Sequence, residues 1–320
     1  MIYSDPRDQA VDDAAVAAFS QAYGERAAAL PPVAIVIAAY NEAGAIGPVI
    51  EALPEQVCGL ATAAVVVADG CVDGTAKEAM TAGAMVADVP VNRGQGAALR
   101  LGYRLAREGG AQYIVTTDAD GQYNPAEIDS LLAPVVAGTA DFVTGSRRLG
   151  SEETRDPVRR LGVRVFAITI SALTGQKISD TTFGLRAMRA SVTGAVRLDQ
   201  QQYQAAELLI GVMSRGYRVS ELPATIHKRK VGESKKGHNA VYGLHFGTVI
   251  ARTWWRERVL GGSRRRGQPA AGEPRVLAAA ESPSPGDSSS VSANPSAAEC
   301  GVGSAPPATP PDEPRSAKRT

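Results

Sequence analysis

A succession of short apolar runs, each closed by polar residues and followed by a stretch of helical spacing, constrains the fold of this chain more than any other feature. Residues 33–39 (Val-Ala-Ile-Val-Ile-Ala-Ala), 64–68, 84–89, 113–117 and 141–144 read as strands, and 43–53, 75–82, 97–107 and 125–136 as helices. The runs are short, rich in Val and Ile and bounded by Gly, Asp or Asn, which separates buried strands from helices of similar composition. Strand, loop and helix repeated in this way predict an α/β fold, a mostly parallel sheet flanked by helices. Ligands of open α/β sheets bind beyond the carboxyl ends of the strands. Tyr40-Asn41-Glu42, Asp69, Gly94 and Asp118-Ala119-Asp120-Gly121-Gln122 are therefore expected along one edge.

The pattern stops near residue 260. Beyond it, 261–320 is dominated by Pro, Ser, Ala and Gly without sustained periodicity. Such a composition buries too little apolar surface to offset its ordering entropy, so a disordered C-terminal tail is expected. An N-terminal extension (1–30) and a domain of roughly 230 residues (31–260), ample for one α/β core, precede it. The formal net charge of +1 gives no global attraction to nucleic acid. Basic clusters at Arg147-Arg148, 155–164, 227–236 and Arg264-Arg265-Arg266 each read singly as solvated faces. Cys58, Cys71 and Cys300 lack the spacing of a zinc site or a disulfide framework and fit a reducing compartment. Residues 1–24 are acidic and interrupted, unlike a secretory leader. No apolar run approaches the ~20 residues of a membrane-spanning helix. A cytoplasmic protein is expected, with membrane contact left open.

Asp118 and Asp120 place two carboxylates at i and i+2 at the mouth of a strand, where several oxygens can surround one hard divalent cation. Mg²⁺ or Mn²⁺ held by one or two carboxylates keeps positions for the oxygens of a diphosphate. Such an ion also stabilises a diphosphate as it leaves. The same residues serve equally as an entry to the next helix through Asn124-Pro125. Tyr40-Asn41-Glu42 can likewise be a strand-to-helix turn with Asn41 as N-cap, and Asp73-Gly74-Thr75 reads as a turn and helix start. A dinucleotide site is disfavoured. Its Gly-x-Gly-x-x-Gly should follow the first strand, where Tyr40-Asn41-Glu42 stands, and the later Gly94-Gln95-Gly96 lacks the third glycine. No P-loop pattern is present either.

Further motifs follow in order: Ala39-Tyr40-Asn41-Glu42, Ala68-Asp69-Gly70-Cys71-Val72-Asp73-Gly74-Thr75, Asn92-Arg93-Gly94-Gln95-Gly96-Ala97-Ala98-Leu99, Asp118-Ala119-Asp120-Gly121-Gln122, Gly145-Ser146-Arg147, Asp180-Thr181-Thr182-Phe183-Gly184-Leu185-Arg186, Glu207 and the basic group 229–235. This series, spread over 32–236, resembles a family 2 glycosyltransferase with the Rossmann-like GT-A fold, in the dolichyl- or polyprenyl-phosphate mannose synthase-like branch. The resemblance implies that Tyr40, Glu42 and Gly94 line the nucleotide pocket and that Asp69 lies beside the base or ribose. It implies that Asp118 and Asp120 hold the metal and the donor diphosphate, with Gln122 completing the metal shell. Arg147, Arg229, Lys230 and Lys235 would face the acceptor phosphate, and the catalytic set would be Asp120, Arg147, Arg229, Lys235 and Asp180. Relatives commonly carry two adjacent aspartates where this chain has Ala68-Asp69, which bears on the choice of base.

The nature of the acceptor turns on the nucleophile. A sugar hydroxyl requires a general base, whereas a lipid monophosphate is already anionic and requires cations to position it. The charge density of 227–236, with Gly232 as a hinge, favours phosphate, and such a loop can close over the donor. The expectation is an inverting, metal-dependent transfer of a hexose (mannose or glucose) from a GDP- or UDP-sugar to polyprenyl phosphate, inversion following from a single displacement. Two alternatives stand beside it: transfer to a sugar hydroxyl with Asp180 or Glu207 as base, and a non-catalytic nucleotide-sugar-binding scaffold. Asp180 can instead bond Arg186, and Glu207, set among apolar neighbours, must either pair or sit in the cleft. A lipid acceptor requires a membrane surface. The apolar stretch 165–173 is flanked by Arg159, Arg160 and Arg164. In 239–258, Tyr242, Phe246, Val249, Ile250 and Trp254 fall near one helical face and Arg252 and Arg256 on another, which fits a helix lying in the interface. Packing on the body is the other reading of both stretches. Peripheral contact with the cytoplasmic membrane face is expected, and no nucleic acid.

Overall fold

The computed structural model describes residues 5–153, 157–229 and 239–259. They lie in the first of the two units into which the chain divides, Met1–Pro274. Lys230, Gly232, Lys235 and the stretch 261–320 fall outside the described residues.

The sheet is built around β1 (Val33–Ala39), which is buried along almost its whole length. Ala34 and Val36 join the core on one face, while Val33, Ile35 and Ile37 join those on the other. A strand covered on both faces has no polar side to display, which is why it reads as one apolar run. β2 (Gln56–Val57) makes a short antiparallel hairpin with the start of β3 (Leu60–Asp69). β3 and β5 (Tyr113–Asp118) flank β1 in parallel, and β4 (Met85–Val89) extends the parallel array beyond β3. Their register pairs Ala39 with Ala68, Ala38 with Asp118 and Asp69 with Val89, so the strands end level.

Past β5 the sheet departs from the expected repeat. β6 (Phe142–Glu152) runs well beyond residue 144, and β7 (Arg186–Arg189) is inserted between β5 and β6, antiparallel to both. β8 (Val219–Ile226) then lies parallel to β6. Among the described residues the sheet is therefore eight-stranded and mixed, though mainly parallel.

Helices cover both faces. One face carries α1 (Pro6–Tyr23), α2 (Glu25–Ala28), α5 (Gln95–Glu108), α7 (Pro157–Thr174), α8 (Ala190–Ala195), α9 (Gln204–Ser214) and α10 (Asn239–Val259). The other carries α3 (Ile46–Glu51), α4 (Thr75–Thr81) and α6 (Glu127–Val136). α3 is shorter than the stretch 43–53 expected to be helical, because residues 40–45 remain a loop with Gly44 at φ +81°. The N-terminal extension is part of the fold. α1 starts at Asp5, whose carboxylate accepts from Arg7 N at 2.8 Å, and it buries Asp12, Ala15 and Phe19.

α10 corrects the expectation of a helix lying in a bilayer interface. Phe246, Val249 and Ile250 are buried against the body, with the Phe246 ring 4.4 Å from that of Phe166 on α7. Trp254 Nε1 donates to Leu173 O at 2.9 Å. The face expected to meet lipid thus meets protein; the side chain of Tyr242 is outside the described residues. α7 keeps Leu161, Val165 and Ile168 exposed on its outer side. No helix among the described residues is long and apolar enough to cross a membrane. Phe246→Ala is expected to cost about 3–5 kcal/mol of folding stability, measured by urea unfolding; a change below 1 kcal/mol would mean that the helix does not pack as described.

Candidate active site

The loops after β1 and β3 are joined into one surface. Asn41, at φ +50°, accepts through Oδ1 from Val72 N at 2.9 Å, so it bridges two loops and does not cap a helix. Glu42 N donates to Thr75 Oγ1 at 2.8 Å, and Glu78 accepts from Gly44 N and Gly47 N. Asp73 closes the turn before α4 by accepting from Thr75 N at 3.0 Å. Gly70 sits at φ +68°, where an added Cβ would lie 2.1 Å from Asn92 N, so only glycine allows the third loop to approach. Tyr40 and Glu42 stand at the rim of this surface, Tyr40 well exposed.

Asp69 ends β3 with its carboxylate turned inward. It is 2% exposed, and Oδ2 accepts from Arg93 N at 2.7 Å and from Gly94 N at 2.8 Å. Burial pushes its carboxyl above the usual carboxylate range, while the two amides and the Arg93 charge pull the other way. In this geometry Asp69 holds the loop that carries Gly94, and its carboxylate does not stand open beside a base or ribose. Gly94, at φ +94°, leads into α5, where Gly96 N donates to Gln201 O at 2.6 Å. The next residue in the motif, Gln95, reaches across and donates through Nε2 to Asp118 Oδ1 at 3.1 Å.

The carboxylate pair lies at the end of β5, level with the loops above. Asp120 Oδ1 accepts from Gln122 N at 3.1 Å, which shapes the turn. Gln122 is bound to the chain leaving β8: its Nε2 donates to His227 O at 3.0 Å, and its own O accepts from His227 N at 2.9 Å. That chain carries Arg229 into the site. Arg229 Nη2 donates to Asp120 Oδ2 at 2.7 Å, and Nη1 lies 3.5 Å from Glu42 Oε1. Glu153 steadies the approach, accepting from Lys228 N at 3.0 Å and lying 3.0 Å from His227 Nδ1. Asp118, Asp120, Gln122, Glu42, Gln95 and Arg229 are thus gathered at one place. Among the described residues no three His, Cys, Asp or Glu side chains form a metal cage. A hard cation that keeps ligand oxygens of its own needs no more than one or two carboxylates.

Arg147 and Asp180 lie close by but bond each other. Arg147 Nε donates to Asp180 Oδ2 at 2.6 Å, Nη2 donates to Thr182 Oγ1 at 3.0 Å, and both residues are buried. Asp180 therefore pairs with Arg147, and the alternative bond to Arg186 is not formed. The pair fixes the turn 180–184, and the amides of Asp180 and of Ser179 just before it donate to Glu221. Tyr123 ties that turn to the carboxylate loop: its hydroxyl accepts from Gly184 N at 2.8 Å, and its ring lies 4.9 Å from that of Phe183. Burial pushes the Tyr123 hydroxyl far above its ordinary pKa. Sequence reasoning assigned no role to Tyr123 or Glu221; Tyr123 adjoins the Asp118–Gln122 motif, but Glu221 has no local signal.

Glu207 resolves in favour of pairing. It is fully buried on α9, accepts from Asp199 N and Gln200 N at 2.9 Å each, and lies 2.8 Å from Arg256 Nη1. Burial raises its carboxyl above the usual range, with Gln200 N, Arg256 and Asp199 N opposing. It is a structural anchor for the 197–202 loop, which withdraws it from the role of general base.

The family model for glycosyl transferase family 2 matches residues 34–196. The chain belongs to that family. It is 33% identical over 227 residues, covering 71% of this chain and 96% of the relative, to a dolichyl-phosphate hexose transferase of Haloferax volcanii. It is 32% identical over 218 residues, 63% of this chain and 86% of the relative, to an undecaprenyl-phosphate mannosyltransferase of Micrococcus luteus. Among solved structures, glucosyl-3-phosphoglycerate synthase from Mycobacterium tuberculosis matches with a TM-score of 0.57 at 17% identity, over 74% of this chain and 82% of that one. The fold is the GT-A fold of these glycosyltransferases, mainly parallel with an antiparallel insertion. For this family 2 glycosyltransferase, Glu207→Ala is expected to lower folding stability by roughly 2–5 kcal/mol, because the amides of Asp199 and Gln200 lose their acceptor and Arg256 loses one of its carboxylates. Denaturant unfolding read beside turnover tests this: full stability with lost activity would restore Glu207 as a base.

Proposed function

We propose that this glycosyltransferase moves a hexose from a GDP- or UDP-linked donor to a polyprenyl phosphate, with inversion at the sugar carbon. The observation that carries this reading is the meeting of Arg229, from the basic stretch after β8, with Asp120 of the carboxylate pair at 2.7 Å. Donor diphosphate and acceptor phosphate are both anions, and this is where cationic and metal-binding groups converge. The relatives named for dolichyl phosphate and undecaprenyl phosphate support the same acceptor class.

The site fits a divalent cation. Arg229 already places positive charge on Asp120, Asp118 adds a second carboxylate, and Gln122 uses its Nε2 on His227 O, which leaves its Oε1 as a further oxygen donor. Mg²⁺ or Mn²⁺ bound there would neutralise the charge that develops on the departing diphosphate. The chain's own groups do the rest. The surface formed by residues 40–47, 70–75 and 92–96 receives the nucleotide, with Tyr40 and Glu42 at its rim. Arg229, with Lys230 and Lys235 that follow it, positions the acceptor phosphate. A phosphate oxygen attacks the anomeric carbon, the bond from that carbon to the diphosphate oxygen breaks, and the nucleoside diphosphate leaves with the electron pair. One displacement inverts the centre, and no proton has to be removed from the nucleophile. The finer readings belong here too. Ala68, where relatives commonly carry aspartate, bears on GDP against UDP, and the exposed Leu161, Val165 and Ile168 beside Arg160 and Arg164 suit peripheral contact with an anionic membrane surface.

A transfer assay with short polyprenyl phosphates, offering GDP-mannose, UDP-glucose and UDP-N-acetylglucosamine with Mg²⁺ or Mn²⁺, is expected to give a mild-acid-labile glycolipid. Asp120→Ala is expected to lower its formation by at least about 10²–10³-fold with an unchanged circular dichroism spectrum. Nucleotide release without lipid product would overturn the phosphate acceptor; wild-type turnover by Asp120→Ala at saturating metal would overturn the metal site.

The Arg229–Asp120 contact has its own consequence. Arg229 must leave Asp120 before a cation binds fully, so Mn²⁺ alone binds weakly and Arg229→Gln tightens it. Removing one charge at this distance is worth on the order of 1 kcal/mol, about fivefold in affinity. Electron paramagnetic resonance of free Mn²⁺, without nucleotide, measures this directly. Equal or weaker Mn²⁺ binding by the variant would show that the guanidinium does not compete.

A further inference from the structure

We infer that the N-terminal helix α1, which precedes the segment matched to the family, is part of the donor-binding apparatus, with Asp12 and Arg93 as positioning residues for the loop 92–96. The inference rests on the nucleotide-sugar reading above for what that loop binds, though not for how the loop is held.

α1 meets α5 and the donor loop through buried charge. Asp12 is fully buried; its Oδ1 lies 2.8 Å from Arg93 Nη2 and its Oδ2 lies 3.3 Å from Arg100 Nε. Asp8, one turn earlier, places Oδ2 3.0 Å from Arg100 Nη2, and its backbone oxygen accepts from Arg93 Nη1 at 3.4 Å. On its far side Arg93 lies 3.8 Å, through Nε, from Asp69 Oδ1. Three carboxylates thus surround two guanidinium groups, and α1 supplies two of the three. A buried guanidinium that loses its carboxylate is costly to keep in place and tends to move toward water.

The relay ends in the site. The carboxylate that faces the Arg93 side chain is the one that accepts from Arg93 N and Gly94 N. Those two amides fix the turn into α5, and the following residue, Gln95, bonds Asp118. Arg100 carries the same brace to the other wall of the loop: its Nη1 donates to Leu198 O at 3.4 Å, and the segment beyond Leu198 lies against Gly94 and Gly96. There an added Cβ at Gly96 would fall 2.1 Å from Gln200 O, so the loop has almost no room to shift without losing its fit. Asp12 touches no substrate. It acts by holding the Arg93 side chain where Asp69 can hold the Arg93 and Gly94 amides.

Asp12→Asn keeps the shape of the side chain and removes its charge. Asp13→Asn is the control, since Asp13 is exposed and pairs only with the outer residue Arg104 among the ion pairs of α1 and α5. Amide hydrogen exchange is measured over residues 90–96 and over β1, together with the donor KM and kcat. The expected result for Asp12→Asn is a loss of protection of at least about tenfold at Arg93 and Gly94 with β1 unchanged. A rise of about fivefold in donor KM, with kcat within about twofold, should accompany it. Asp13→Asn should match the wild type in every readout. Wild-type protection at Arg93 and Gly94 would overturn the inference, and so would an even loss across β1 and the loop, which would make Asp12 a general stability residue. Failure of the wild type to turn over any nucleotide sugar would sink the donor reading instead, while the exchange at the two amides would still decide the brace.

Discussion

The register of three parallel strands sets the rest of the molecule. Ala39 opposite Ala68 and Ala38 opposite Asp118 bring the ends of β1, β3 and β5 level, so that the loops carrying Glu42, Asp69 and Asp118 open at one edge. A slip of one residue would turn every side chain of a strand to the opposite face. β1 is covered on both faces by separate apolar clusters, and packing there fixes where each strand ends. The chemical groups are thus displayed from short loops on a rigid support, which is how such sites gain positional accuracy.

Acid residues collected at one edge repel unless each finds a cation, and the structure provides a guanidinium for each of four. Asp69 faces Arg93, Asp180 holds Arg147, Glu207 holds Arg256, and Asp120 holds Arg229. All four acids also accept backbone amides: Arg93 and Gly94 for Asp69, Arg147 and Thr182 for Asp180, Asp199 and Gln200 for Glu207, and Gln122 for Asp120. Each of these fixes the path of a loop. Asp120 differs. Its partner comes from the chain that leaves β8 toward the basic stretch, and it reaches Glu42 as well, so this pairing stands where a ligand would exchange with it.

Much of this was legible in the sequence, because the parallel strands are local signals. Val33–Ala39 and Tyr113–Asp118 are runs whose shortness, β-branched composition and polar bounds together favour strand, and their polar ends are where the loops had to be. Asp73-Gly74-Thr75 as a helix start follows from turn chemistry in the same way. What escaped depends on partners far along the chain. β7 is four residues long, Arg-Ala-Met-Arg, and becomes a strand only because β5 and β6 lie on either side of it. The acids within residues 1–24 read in the sequence only as unlike a secretory leader, although Asp12 is buried by arginines about eighty residues later. The amphipathic pattern of α10 is the same whether its apolar face meets lipid or Phe166, and only the fold distinguishes them. Arg147 was expected toward the acceptor, but the carboxylate of Asp180, 2.6 Å away, holds it within the protein.

The same pairings bear on the chemistry of the acceptor. A hydroxyl nucleophile needs a carboxylate that can take up a proton near the line of attack, with an oxygen open to the substrate. Of the two acids considered for that role, Glu207 is fully buried with its oxygens on Asp199 N, Gln200 N and Arg256, and Asp180 is buried against Arg147 and Thr182. A carboxylate whose charge is matched by a guanidinium is a weak base, because protonation would leave the cation buried without its counterion. An acceptor that arrives already ionised avoids that requirement. It needs positive charge to hold it against a departing diphosphate, and Arg229 stands at the carboxylate pair at the start of a stretch with further cations. The arrangement of the acids and the position of Arg229 therefore favour the same acceptor: an anion whose own oxygen is the nucleophile.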